Sequence, residues 1–299
     1  MRVRGAVLRE MGLPAPYASS RPLEIAEAEL DPPGQGELLV RVGATGLCHS
    51  DLSVIDGSRP RVMPMLLGHE AAGEVVETGP GVSAFSPGDH VVLSFVPVCG
   101  ACAPCRVGRA ALCERGAAAN LAGELLAGGR RLHGADGVEL NHHLGVSGFA
   151  DHAVVSEASA VRVDDDLPFE IAALFGCAVL TGVGAVVNSA RVEVGDTVAI
   201  FGLGGVGLAA LLGALAAGAR KVVAVDVVPE KLALARELGA THAVAGDEDV
   251  VEAVREATAG GPDHAIETVG SERVLAQAYA ATRRGGSTVT VVPPRRVAA

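Results

Sequence analysis

Apolar residues along this chain follow two rhythms. Up to about Val163 they come in short runs separated by Pro and Gly: 5–8, 23–30, 38–44, 73–77 and 90–93, the last entered through Pro87-Gly88-Asp89. Short runs bounded by turn residues predict strands, and their density predicts a small β-rich barrel or sandwich. Beyond about Leu180 strands and helices alternate. Residues 198–201, 222–225, 243–245, 265–267 and 288–292 read as strands, and 208–217, 230–238, 250–258 and 272–282 as helices. Pro229 opens one helix, Gly239 closes it, and Ser271 is placed as an N-cap. This alternation predicts an α/β domain built on a doubly wound parallel sheet. The expected linker lies around 163–173, dividing the chain into domains 1–165 and 166–299.

The most informative stretch runs from Thr197 to Asp226. A β-branched run leads into Gly202, Gly204 and Gly207, an Ala/Leu-rich helix follows, and a second β-branched run ends at Asp226. Gly202 allows a tight turn, Gly204 lets the backbone approach a pyrophosphate, and Gly207 lets helix and strand pack closely. The helix N-terminus offers unpaired N–H groups to phosphates. Residues 197–219 carry no charge, so a membrane span is the competing reading. Six glycines and a change of period within the run argue against it.

Composition narrows the picture. The 299 residues include 39 glycines and no tryptophan, which suits an α/β protein with Gly-rich turns. The net charge of −11 disfavours nucleic acid or an anionic membrane surface as partner. No apolar secretion segment follows Met1, so a cytoplasmic, reducing location is expected for the 6 cysteines. Cys99, Cys102, Cys105 and Cys113 have the spacing of a closed four-thiolate metal lobe, about residues 96–115. Zn²⁺ is favoured, an iron–sulfur cluster is the rival, and disulfides are disfavoured. Cys48, His69 and Cys177 are dispersed, and spacing alone does not bring them together.

In combination, GLCHSD at 46–51, LGHEAAGEV at 67–75, PGDHV at 87–91, the four-cysteine lobe, GC at 176–177 and GLGGVG at 202–207 resemble the zinc-dependent medium-chain alcohol dehydrogenases. That resemblance implies a GroES-like β-rich catalytic domain joined to a Rossmann domain. It implies a catalytic Zn²⁺ on Cys48, His69 and Cys177, with Glu70 as an occasional extra ligand, and a structural Zn²⁺ on Cys99, Cys102, Cys105 and Cys113. Asp51 would orient His69, and Ser50 would pass on the alcohol proton. Where many relatives continue that relay with a histidine, this chain has Ser53. The implied chemistry is hydride exchange between an alcohol, aldehyde or ketone and NAD, with zinc acting as Lewis acid.

Asp226 suits the ribose hydroxyls of NAD and repels a 2′-phosphate. Lys231 matches a lysine near the same ribose, Thr181 and Val206 match residues flanking the nicotinamide, and Phe95 matches a position lining the cleft. Residues 116–148 read as a long loop carrying Asn120, Arg130, Arg131, His133, His142 and His143, ordinarily solvated. Its placement resembles that in dehydrogenases acting on a thiol–formaldehyde adduct. The family is homo-oligomeric and its members run further than Ala299, so the chain reads as C-terminally truncated, without the last Rossmann strand and the dimer-forming segment. Two expectations follow: an active dehydrogenase, or a zinc- and NAD-binding remnant without turnover.

Overall fold

The computed structural model describes residues 1–247 and 249–291. The expected end of the last strand at Val292 and the tail from Pro293 to Ala299 lie outside them. The chain divides into two compact units, Met1–Cys177 and Ala178–Ala299.

The first unit carries strands β1 (Arg2–Leu8), β2 (Leu23–Leu30), β3 (Glu37–Thr45), β4 (Met65–Leu66), β5 (Ala71–Thr78), β6 (His90–Leu93), β7 (Leu132–Gly134), β8 (Glu139–His142), β9 (His152–Ser156) and β10 (Ala160–Arg162). Strands β1-β2-β7-β8-β4 close into a barrel, and β10-β6-β5-β3-β9 form a second sheet. Val3, Val7, Leu30, Leu66, Leu132 and Leu140 fill one core, while Leu38, Val40, Val75, Val91, Leu93 and Val155 fill another. Helices α1 (His49–Ile55), α2 (Glu114–Ala122) and α3 (Phe169–Leu174) decorate this frame.

Two expectations are corrected. Residues 116–148 are not a solvated loop: they include most of α2 and all of β7 and β8. Asn120 donates to the Phe95 carbonyl at 2.8 Å, Arg130 to Asn141 Oδ1 at 2.8 Å, and His133 meets Asp31 at 2.9 Å. His142 and His143 are both buried. The stretch 163–173 is not simply a linker either, because α3 seats Ala172 and Ala173 against Ala72 and Ala44. Helical structure continues through two π-helical turns to give an apolar run, Phe169–Ala190. It is the one helix among the described residues long and apolar enough to cross a membrane by composition.

The second unit is a five-stranded sheet, β11 (Thr197–Phe201), β12 (Lys221–Asp226), β13 (His242–Ala245), β14 (His264–Glu267) and β15 (Ser287–Thr290), in the order β13-β12-β11-β14-β15 with every pairing parallel. Its helices are α4 (Gly205–Ala216), α5 (Pro229–Glu237), α6 (Val250–Ala257) and α7 (Glu272–Ala281). Val198, Ile200, Val222 and Ile266 face one way, toward Ala210, Leu211 and Leu232; Ala199, Phe201, Val223 and Ala265 face the other, toward Val250, Val254 and Ala278. Burial on both faces explains why β11 reads as an unbroken apolar run rather than an alternation. The order reverses beside β11, the switch point where such sheets bind ligands. The helix after β11 starts at Gly205, earlier than expected, so Gly207 lies in its first turn. Ser271 stands at the N-cap of α7 as expected, but its side chain makes no capping bond.

At the start of β3, Glu37 is fully buried and takes two bonds from Arg131, Nε to Oε2 at 2.9 Å and Nη2 to Oε1 at 3.0 Å. Removing one partner of such a pair strands a buried charge. Arg131→Met is expected to lower stability by about 3 kcal/mol, read from the urea midpoint, and Glu37→Leu in the same chain to recover part of that loss.

Candidate active site and metal centres

Three segments of the first unit deliver the dispersed ligands to one place. Strand β3 runs out at Thr45, and Cys48 stands as the N-cap of α1. Past β4 the chain turns through Gly68, at φ +94°, to reach His69; a Cβ on Gly68 would sit 2.4 Å from the Phe149 nitrogen, so only glycine fits. Cys177 is buried in the π-helical turn Phe175–Val179, a geometry that recurs at functional sites. The Cys48 and Cys177 sulfurs are 4.0 Å apart, and the ligand atoms of Cys48, His69 and Cys177 all lie within 4.8 Å of one another. Two soft sulfurs and an imidazole at that separation are a donor set for Zn²⁺, with three protein ligands and a fourth position left over.

Asp51, one turn into α1, ties this arrangement together. Its Oδ2 accepts the Cys48 N–H at 3.3 Å. Its Oδ1 accepts the Gly68 N–H at 3.3 Å and lies 3.1 Å from His69 Nδ1. With Nδ1 turned to Asp51, Nε2 of His69 is the nitrogen available to a metal. Burial opposes charge on His69, but the bonds to Asp51 and Cys48 outweigh it and hold the imidazole up at about 9. The neighbouring Cys177 thiol holds Cys48 down at about 3, with His69 contributing. Burial would raise Asp51, yet His143 and His69 together keep it well below the usual carboxylate range.

Ser50 is half-buried in the first turn of α1. The Ser53 hydroxyl turns back to the His49 carbonyl at 2.8 Å, so it is engaged within its own helix. Glu70 is buried beside Gly46, but it is not among the groups whose ligand atoms cluster. The Phe95 ring meets His69 edge-on at 5.8 Å. His143 was not legible as part of this site: its Nδ1 lies 3.2 Å from Asp51 Oδ1, and its ring stands edge-on to His69 at 5.5 Å. Only the two adjacent histidines in the sequence hinted at it, and an isolated histidine pair carries no spacing rule.

The four-cysteine lobe also assembles. The ligand atoms of Cys99, Cys102, Cys105 and Cys113 lie within 4.8 Å of one another, and all four cysteines are free. Backbone N–H groups of Cys99 and Gly116 point at Cys113 Sγ, both at 3.3 Å, which favours a thiolate there. Cys113 is also the N-cap of α2, whose positive end adds to that preference. Burial and Cys102 push Cys105 up to about 12, which disfavours a thiolate there.

In the second unit, a Cβ on Gly207 would fall 1.8 Å from the Gly202 carbonyl oxygen, which accounts for the third glycine of the motif. Asp226 ends β12; its Oδ2 accepts the Leu203 N–H at 2.7 Å and its Oδ1 the Val228 N–H at 2.9 Å. Lys231 Nζ is 3.7 Å from Asp226. Thr181 and Val206 stand on packed helices, with Gly182 set against the Val206 backbone. Two residues that sequence reasoning missed also shape this loop. Thr268 Oγ1 lies 3.1 Å and 3.0 Å from the carbonyls of Phe201 and Gly202. Glu267, fully buried, accepts the N–H groups of Val269 and Gly270 at 2.7 Å each.

Comparison with known proteins places the chain in a family. Residues 34–165 match the family model described as alcohol dehydrogenase GroES-like domain, and residues 205–294 match that described as zinc-binding dehydrogenase. The chain is 42% identical to an NDMA-dependent alcohol dehydrogenase of Amycolatopsis methanolica, over 97% of this chain and 76% of that protein. It is 39% identical to an S-(hydroxymethyl)glutathione dehydrogenase of Synechocystis sp., over 95% of this chain and 76% of that protein. The crystal structure of benzyl alcohol dehydrogenase from Acinetobacter calcoaceticus superposes with a TM-score of 0.89 at 35% identity, covering 100% of this chain and 79% of that one. The chain belongs to the zinc-dependent medium-chain alcohol dehydrogenase family, with GroES-like and Rossmann-type domains. Its activity is accordingly the zinc-dependent oxidoreduction of alcohols and aldehydes.

A pH dependence follows from His69. Its folded value of about 9 means that a metal arriving below that pH must displace a proton from the ring, whereas Cys48, at about 3, is already a thiolate. Zinc affinity at this centre is therefore expected to rise by at least about tenfold per pH unit between pH 6 and 8. Chelator competition at several pH values measures it, and a flat profile would contradict the assignment.

Proposed function

We propose that the chain is an NAD-dependent alcohol dehydrogenase in which Cys48, His69 and Cys177 hold the catalytic Zn²⁺ and Cys99, Cys102, Cys105 and Cys113 a structural one. The observation that carries this reading is the convergence of the two sulfurs and one imidazole within 4.8 Å, from positions as far apart in the chain as 48 and 177. Bound there, Zn²⁺ supplies a Lewis acid for the oxygen of an alcohol or carbonyl substrate. Glu70 is assigned no ligand role in the resting site.

The protein's own groups do the rest. Asp51 fixes the tautomer and orientation of His69. Ser50 accepts the alcohol proton while passing its own hydroxyl proton on to solvent, and since the Ser53 hydroxyl donates to the His49 carbonyl, that relay does not run through the Ser53 side chain. Gly202, Gly204 and Gly207 let the pyrophosphate reach backbone N–H groups at the start of α4. Asp226 retains unused lone pairs beside its two backbone bonds and offers them to the adenine ribose, favouring NAD over NADP, with Lys231 beside it. Thr181 and Val206 flank the nicotinamide, and Phe95 lines the substrate side.

The test is assay of the zinc-loaded chain with NAD and NADP. Simple primary and secondary alcohols, benzyl alcohol and S-(hydroxymethyl)glutathione serve as substrates, with NDMA as an additional acceptor. NAD-linked turnover is expected, and Asp226→Ala is expected to raise the KM for NAD about tenfold or more by removing charge-assisted bonds. Cys48→Ala is expected to reduce kcat/KM by more than about a thousandfold and bound zinc from two ions per chain to one. Two zinc ions and NAD bound without turnover on any of these substrates would defeat the reading.

A further inference from the structure

The carboxylate of Asp51 has neighbours on both oxygens. Oδ2 takes the Cys48 N–H, and Oδ1 takes the Gly68 N–H. Two imidazoles then crowd the same Oδ1: His69 Nδ1 at 3.1 Å and His143 Nδ1 at 3.2 Å. Both rings are 1% exposed, and they stand nearly perpendicular, at 86°. The second ring has been built into place. The His143 N–H bonds the Ser147 hydroxyl at 2.9 Å, and that hydroxyl bonds the Leu66 carbonyl at 2.9 Å, so the turn bearing His143 is fastened to β4, the strand that leads to His69. His143 Nδ1 is the polar atom left over. It has no well-aligned hydrogen bond, and the Asp51 oxygen is its close polar neighbour.

A leucine would fill that space without burying an unmet polar atom, which is ordinarily unfavourable. Pure packing therefore does not explain the residue. We infer that His143 is a positioning residue for the metal centre: it occupies the open side of Asp51 Oδ1, keeps water from that oxygen, and so holds the carboxylate in the orientation that fixes His69. This rests on the zinc reading above and adds to it a further residue, acting through Asp51 rather than on the metal.

The test uses the full chain and zinc alone, with affinity at the Cys48 centre read by chelator competition. The visible spectrum of the Co²⁺-substituted protein serves as a second readout. His143→Phe keeps the edge-on ring but removes the N–H, and is expected to weaken zinc binding at this centre about tenfold and shift the Co²⁺ bands. His143→Asn, which returns an N–H near the same point, is expected to recover most of the affinity. In an Asp51→Asn background, His143→Phe is expected to add less than about a twofold further loss, since both act on one contact. Retention of the Cys99 lobe zinc reports that each variant is folded.

Unchanged affinity in His143→Phe, no recovery in His143→Asn, or a full additional loss in the Asp51→Asn background would each overturn the proposal. If the wild-type chain binds only the lobe zinc, the metal reading falls and takes this inference with it. If the wild type binds two and His143→Phe behaves like it, this inference alone falls.

Discussion

Asp51 keeps a negative charge where 3% of its surface is open to water. A carboxylate there would be strongly disfavoured without donors around it. The donors are the Cys48 and Gly68 N–H groups and the His69 ring, which come from the start of α1 and from the turn after β4. Satisfying the carboxylate therefore brings the start of α1, the turn after β4 and the ligand imidazole to fixed separations. The geometry needed for a metal and the electrostatics needed to bury a charge are met by the same contacts. The low pKa of Asp51 and the high pKa of His69 share the contact between them, with His143 adding to the first and Cys48 to the second.

The second unit uses the same device. Asp226 and Glu267 stand at the C-terminal ends of β12 and β14, and each gathers two backbone N–H groups from the loop that follows or adjoins it. Thr268 then reaches the carbonyls of Phe201 and Gly202. The loop that would wrap a pyrophosphate is thus shaped in advance by side chains at strand ends, which lowers the ordering cost of binding.

Much of this was legible in the sequence, for identifiable reasons. The doubly wound sheet could be read because β11 and β12 are buried on both faces and so appear as uninterrupted apolar runs. The cysteine lobe could be read because its ligands lie on one short segment. The helical run through Phe169–Ala190 was hidden by its glycines, which sequence rules count as breakers although Gly182 sits in close contact with the Val206 backbone. Strands β7 and β8 were hidden because they are short and bear Arg130, Arg131 and His142 at or beside them, polar residues that the tertiary structure buries or half-buries. The joining of Cys48, His69 and Cys177 is long-range, and no local pattern encodes it. Family motifs supplied it, and they gave no sign of His143.

Cys177 sits in a turn with one residue more than a regular helix would contain. Around an α-helix each residue advances about 100°. Restoring the ordinary count by deleting a neighbour would swing the thiol a quarter-turn or more away from Cys48, although every side chain of the trio would still be present. This segment is therefore held to its length as tightly as to the small residue at 176, where a Cβ would sit 2.4 Å from the Leu93 carbonyl oxygen.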